Sequence, residues 1–180
     1  MTTFISLFRG INVGGNQKIR MDELKALHIS LGLKDVVTYI QTGNVLFTSD
    51  DTDLAHLTSQ IEDGFAQKFG FRVNVMVRTK AELQEIIVNN PFQNQLTKES
   101  KWVVVLFLKT HPERTALDDI QKTYGGPEEL YLIGQELYIY YPDGIGRSKL
   151  TNTLLEKKLK TSGTGRNWNT ILQLQKLIQD

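Results

Sequence analysis

Val36-Val37-Thr38-Tyr39-Ile40-Gln41-Thr42-Gly43-Asn44-Val45-Leu46-Phe47-Thr48 is the stretch that decides the fold. Two runs rich in β-branched and aromatic residues flank Thr42-Gly43-Asn44, whose glycine and asparagine tolerate tight-turn geometry. It reads as a β-hairpin with strands over 36–41 and 45–48. Upstream, Leu24, Leu27 and Leu31 recur on one helical face from Met21, Gly32 stops that helix, and Phe4 to Phe8 before it is an apolar strand. Downstream, Asp50, Asp51 and Asp53 lead into a helix that buries Leu54, Leu57, Ile61, Phe65 and Phe69 on one side and closes at Gly70. Arg72 to Arg78 then alternates, with Val73, Val75 and Val77 inward. The order β-α-β-β-α-β is the ferredoxin-like, split βαβ pattern.

The pattern then partly repeats. Thr79-Lys80-Ala81-Glu82 is a capping box that opens a further helix, ended by Asn89-Asn90-Pro91, and the polar stretch from Gln93 to Ser100 is the linker candidate. Trp102 to Leu108 reads as a strand and Glu113 to Tyr124 as a weaker helix. Glu129 to Ile133, a Gly134-Gln135 turn and Glu136 to Tyr141 make a second hairpin. The turn segments Tyr39 to Asn44 and Tyr131 to Gln135 are counterparts. A helix beginning near Ser148 and a last one carrying Ile171, Leu174, Leu177 and Ile178 complete the chain. The expected fold is α+β, with two tandem ferredoxin-like subdomains at residues 1–95 and 96–180. The second is expected to end in helix rather than in a fourth strand.

Composition limits the functions. The 180 residues are 40% apolar and 23% charged with a formal net charge of +1, an ordinary balance that argues against a dedicated nucleic-acid binder. The absence of cysteine excludes disulfides, thiol nucleophiles, Cys-ligated zinc and iron–sulfur clusters, and suits a reducing compartment. Met1-Thr2-Thr3-Phe4 has no signal-peptide character, and no apolar run approaches the ~20 residues a membrane helix needs. These features point to a cytoplasmic protein with no membrane partner.

Three polar loops carry the candidate chemistry. Phe8 to Asn16 holds three glycines, two asparagines and Arg9 between a strand and a helix. In a split βαβ fold, the loop after the first strand and the hairpin turn emerge at the same end of the sheet. Arg9, Asn12, Gly14 and Gly15 then lie near Gln41 and Asn44. Arginine offers a donor fork for carboxylate or phosphate, and asparagine and glutamine orient polar groups. The loop is neither a Rossmann GxGxxG nor a Walker motif, so no cofactor follows. The bland reading is that these residues only make turns.

The second loop is Asp143-Gly144-Ile145-Gly146-Arg147-Ser148-Lys149. With Ser148 as N-cap, Arg147 and Lys149 would oppose a helix dipole, which favours a nearby anion. In the third, Thr164 to Thr170, Asn167 or Asn169 caps the last helix beside Arg166, and Trp168 either stacks on a ligand or anchors the helix in the core. Core packing is the commoner role for such a tryptophan. From Gly144 to Thr170 the charged residues are Arg147, Lys149, Lys157, Lys158, Lys160 and Arg166 against Glu156 alone. His28, His56 and His111 are scattered, and no His/Asp/Glu spacing suggests a metal. The run Asp50 to Asp53 fits helix capping.

Together the motifs Arg9-Gly10-Ile11-Asn12-Val13-Gly14-Gly15, Tyr39 to Val45, Asn90-Pro91-Phe92, Gly146 to Leu150 and Arg166-Asn167-Trp168-Asn169-Thr170 resemble an uncharacterised, mainly bacterial domain-of-unknown-function family. Thr42 stands where serine is more usual and keeps the hydroxyl. The resemblance implies tandem ferredoxin-like subdomains and no established activity. Three functions remain in order of preference. The first is a binding or enzymatic site for a small anionic or phosphorylated ligand. The second is a structural or protein-interaction module. The third is an RNA- or DNA-binding module that uses Phe4, Phe8 and Phe47 on the sheet.

Overall fold

The structure, a computed structural model, describes residues 1–95 and 97–179; Leu96, at the expected junction between the halves, and Asp180 lie outside the described residues. It is an α+β chain with two four-stranded antiparallel sheets and, among the described residues, six α-helices. The chain forms two compact units, Met1–Gln84 with Leu174–Asp180, and Glu85–Gln173.

In the first unit, β1 (Thr2–Phe8), α1 (Met21–Ser30), β2 (Lys34–Tyr39), β3 (Asn44–Ser49), α2 (Leu54–Phe69) and β4 (Val75–Thr79) follow in order. The sheet order is β2-β3-β1-β4. Phe4 pairs with Phe47 and with Thr79 across β1's two antiparallel neighbours. Alternation puts Phe4, Phe8, Phe47, Val75 and Val77 on the face that packs against Leu24 and Leu27 of α1 and Leu57, Ile61 and Phe65 of α2. The intervening residues Ile5, Leu7, Leu46 and Met76 are buried as well. Phe4, Phe8 and Phe47 are 0% exposed. They offer no platform for unstacked bases, which removes the sequence basis for the nucleic-acid reading.

Local chemistry sets the boundaries. Asp53 caps α2, accepting from the Ala55 and His56 N–H groups at 3.0 and 3.1 Å. The next helix, α3 (Lys80–Val88), has the expected capping box: Glu82 accepts from the Thr79 N–H at 2.7 Å, and the Thr79 hydroxyl accepts from the Glu82 N–H at 3.1 Å.

The second unit contains β5 (Val103–Leu108), α4 (Ala116–Thr123), β6 (Glu129–Ile133), β7 (Glu136–Tyr140), α5 (Asn152–Leu159) and β8 (Gly163–Asn167), with sheet order β6-β7-β5-β8. α6 (Trp168–Gln179) follows, and the division between the units falls inside α3 and inside α6. Leu106, Leu108, Leu137 and Ile139 pack against Ile120 of α4 and Leu155 and Leu159 of α5. Two expectations are corrected here. A fourth strand does exist: Gly-Thr-Gly-Arg-Asn lacks the apolar alternation of a strand, yet β8 pairs with β5 in register from Gly163↔Leu108 to Asn167↔Val104. Its glycines serve close packing, since a Cβ at Gly163 would stand 2.9 Å from Leu106. The fifth helix begins at Asn152 rather than near Ser148, and its cap is Thr151, which accepts from the Leu154 N–H at 3.2 Å.

One buried polar pair sits inside the first core. The His28 Nδ1 lies 2.8 Å from the Leu24 carbonyl and its Nε2 2.9 Å from the Ser6 hydroxyl, with both residues 0% exposed. A carbonyl only accepts, so Nδ1 carries the proton and Nε2 accepts from Ser6. Although a Ser–His pair, it is sealed from solvent and acts as architecture. Burial holds the imidazole well below its ordinary value, at about 4, against the opposing pull of the Leu24 bond. The unfolded chain therefore binds the extra proton first as pH falls. His28's contribution is complete above pH ~6.5 and is lost progressively toward pH ~4, a loss of roughly 3 kcal/mol. Urea unfolding from pH 7 to 4.5 is expected to show this slope, and His28→Leu to flatten it. Parallel profiles for both proteins would refute the assignment.

Candidate functional site

The segment between β1 and α1, residues 9–20, is fixed at its root by the sheet. The Phe8 N–H donates to the Gly43 carbonyl at 2.9 Å and the Arg9 N–H to the Asn74 carbonyl at 3.0 Å. The loop thus leaves between the β2–β3 turn and the approach to β4. Gly43, at φ +83°, is required twice over, because a Cβ there would lie 2.6 Å from Ile11 Cδ1 and 2.8 Å from Phe8 Cβ.

Asn12 clamps the loop. Its Nδ2 donates to the Ile19 carbonyl at 2.9 Å and to the Gln41 carbonyl at 2.8 Å, and its Oδ1 accepts from the Ile19 N–H at 2.6 Å. One side chain ties residues 12 and 19 together and both to the hairpin turn. Asn44 does similar work within the turn. It is 0% exposed, and its Nδ2 donates to the Tyr39 carbonyl at 2.9 Å and the Thr42 hydroxyl at 3.0 Å.

Beside this clamp opens a cleft of about 660 Å³ lined by Asn12, Gly15, Lys18, Ile19, Arg20, Met21, Asp22 and Gln41. It lies at the start of α1, whose N-cap position is Arg20 with no side-chain capping bond. The exposed Arg20 guanidinium forks onto Asp22, at 3.1 Å from Nε and 2.7 Å from Nη2. Arg9, Gly14 and Asn44 do not line the cleft.

The second unit has its own cleft, of about 720 Å³, lined by Tyr124, Gly125, Gly126, Pro127, Glu128, Asp143, Arg147 and Lys149. Ser148 stands behind it rather than at a helix start, directly after the 3-10 turn Ile145–Arg147. Its hydroxyl donates to Glu128 at 2.5 Å and accepts from the Leu150 N–H at 3.0 Å. Arg147 and Lys149 therefore oppose no helix dipole, and that motive for an anion at Ser148 is withdrawn. Glu128 also accepts from the Tyr124 hydroxyl at 2.7 Å. Partial burial pushes the Glu128 carboxyl up, but the Ser148 and Tyr124 hydroxyls outweigh it and hold the carboxyl below its ordinary range. Burial and the neighbouring carboxylate push the Tyr124 phenol up, so it remains a donor.

The third cluster is internal. Arg166, on β8, is 5% exposed, and its Nη1 donates to the Thr164 hydroxyl at 2.7 Å and the Gly165 carbonyl at 2.9 Å. Burial lowers its pKa to about 10. Trp168 is 7% exposed, so it presents no stacking face to a ligand. Asn167 accepts from the Asn169 N–H at 2.9 Å and donates to the Lys101 carbonyl at 2.6 Å, while Asn169 Oδ1 accepts from the Ser100 hydroxyl at 2.9 Å. None of the four lines either cleft.

A family described as "Protein of unknown function (DUF1697)" matches residues 1–138. The chain belongs to this family. A solved structure of a conserved bacterial protein, SP0830 from Streptococcus pneumoniae, is 25% identical with a TM-score of 0.75, covering 100% of this chain and 99% of that one. No curated protein matches the chain. The resemblance read from the motifs is thus to a family whose function is unknown.

In this DUF1697 chain, Asn12, Gly15, Gln41, Arg147 and Lys149 of the motif residues line the clefts, and Lys18, Arg20, Asp22, Tyr124, Glu128 and Asp143 line them beside these. Lys18 and Arg20 were findable as cations just ahead of the Met21 helix. Glu128 gave no such signal, because its partners come from α4's exit and from a turn twenty residues on. If Asn12 is chiefly a clamp, Asn12→Ala lowers the unfolding free energy by about 1–3 kcal/mol. It should also speed amide exchange at Ile19. Unchanged urea stability would show that the amide matters only to a ligand.

Proposed function

We propose that the chain binds a small anionic, phosphorylated ligand at the first cleft. One observation carries the reading: Lys18, Arg20 and the start of a ten-residue helix without a side-chain cap meet a clamped glycine loop around one cavity. Helix N–H groups and fixed cations are what an anion requires. The ligand's acid takes over the acceptor role that Asp22 fills for Arg20, and Gln41 adds a donor and an acceptor at the rim. Gly15 allows close backbone approach, while Arg9 and Gly14 belong to the same loop outside the cleft lining. We also read the halves, residues 1–95 and 96–180, as ferredoxin-like subdomains produced by duplication in a cytoplasmic protein. The matching strand orders β2-β3-β1-β4 and β6-β7-β5-β8 support this.

A structural role has its own support. Asn12, Asn44, Ser148, Arg166 and Asn167 all spend side-chain groups on internal partners. For these residues architecture is the main task, and ligand contact falls to Lys18, Arg20, Gly15 and Gln41.

Thermal unfolding with inorganic phosphate, sugar phosphates and nucleotides tests the reading. A ligand at about one hundred times its Kd adds ~2.7 kcal/mol, which raises Tm by roughly 5–10 °C for a chain of this size. Lys18→Ala and Arg20→Ala are expected to shrink that shift. No stabilisation by any phosphorylated compound, or an undiminished shift in the double variant, would reject it.

A further inference from the structure

We propose that the second unit carries a separate ligand site, the cleft at Tyr124 and Glu128, and that it takes a small zwitterion. Arg147 and Lys149 hold the acidic group, and Glu128 and Asp143 hold a primary ammonium.

Charge balance and the absence of internal pairing carry the argument. The cleft, about 720 Å³, is lined by two cations and two carboxylates. Among the described residues, none of the four side chains forms an ion pair, with each other or elsewhere. Opposite charges gathered round one cavity without neutralising one another leave a field with two poles. A simple anion entering it meets Glu128 and Asp143, and a simple cation meets Arg147 and Lys149. A ligand carrying both signs is complementary to the whole lining, so the cleft discriminates by repulsion as well as by attraction.

Glu128 is built as an anchor. The Tyr124 hydroxyl donates to one carboxylate oxygen at 2.7 Å and the Ser148 hydroxyl to the other at 2.5 Å. These bonds fix the carboxylate's plane and favour its ionised form. Glu128's own N–H takes a third of the roughly four acceptor positions of a carboxylate, which leaves about one for an incoming ammonium. The Leu150 N–H donates to the Ser148 oxygen at 3.0 Å, which directs the hydroxyl proton toward Glu128. The wall is therefore set before any ligand arrives, as a selective site requires. Asp143, Arg147 and Lys149 are exposed and supply the mobile rim.

Calorimetric and NMR titration of the full chain with O-phosphoethanolamine tests this, with inorganic phosphate and ethylamine as the two half-ligands. O-Phosphoethanolamine is expected to bind at least about tenfold tighter than either half. Amide shifts should centre on Gly125, Gly126 and Lys149. Asp143→Asn and Arg147→Ala, both at exposed positions that tolerate change, should each weaken binding by about fivefold. Lys18→Ala, in the first unit, should leave it unchanged. Four outcomes overturn the proposal: no binding of O-phosphoethanolamine, equal binding of phosphate alone, indifference to both second-unit variants, or loss of binding in Lys18→Ala. The last would move the ligand to the first cleft and leave that reading standing.

Discussion

Each sheet depends on how its central strand ends. β1 lies between β3 and β4, and its last N–H groups are taken by the carbonyls of Gly43 and Asn74. β5 lies between β7 and β8, and Leu108 and Lys109 donate in the same way to Gln135 and Ser162. The pair of bonds forces the departing chain to pass between a hairpin turn and the edge strand. It also locks register, because a slip of one residue would turn Phe8 or Leu108 to the opposite face of its sheet. The place of the Arg9–Gly15 loop beside Gln41 is thus a consequence of strand pairing, and the chemistry of the loop is laid over it.

Features written in adjacent residues were legible in advance. The two hairpins, the capping box at Thr79 and Glu82, and the Asp53 cap all rest on groups within a few positions of one another. What escaped was settled by distant partners. Serine is the commoner N-cap, which is why Ser148 reads as the helix start. The structure gives the cap to Thr151 because the Ser148 hydroxyl is engaged by Glu128. β8 escaped because glycine is a poor strand former in isolation, whereas its value here lies in the room it leaves for Leu106 and Leu108 on the neighbouring strand. The neighbourhood of Asn12 was deducible from topology. The inward turn of its amide was not, since it answers to the carbonyls of Ile19 and Gln41.

Polar motif residues invite a functional reading, and several of these have an architectural one. A buried donor or acceptor left without a partner costs about 1–3 kcal/mol, so each satisfied group excludes alternative arrangements even where its net contribution is small. Asn44 at the turn, His28 under the first sheet and Arg166 on β8 are all of this kind. Many of the chain's distinctive polar residues therefore define its internal architecture, while the cations at the cleft walls, Lys18, Arg20, Arg147 and Lys149, are exposed.

The two units share a strand order, and the two clefts described lie at different ends of it. In the first, the end where β1 leaves carries the long loop and the cleft. At the opposite end lie two surface ion pairs, Lys34 with Asp50 at 3.7 Å and Asp51 with His56 at 2.5 Å. In the second, short polar contacts tie the end where β5 leaves: Thr110 bonds the Thr161 hydroxyl from its N–H and its side chain, at 3.1 and 2.8 Å, and Gln135 reaches the Lys109 carbonyl at 3.3 Å. There the cleft opens instead where α4 hands over to β6 and β7 runs out at Tyr140. In both units the irregular loop beside the cleft sits beyond the strand ends, so the pairing of the central strand stays continuous.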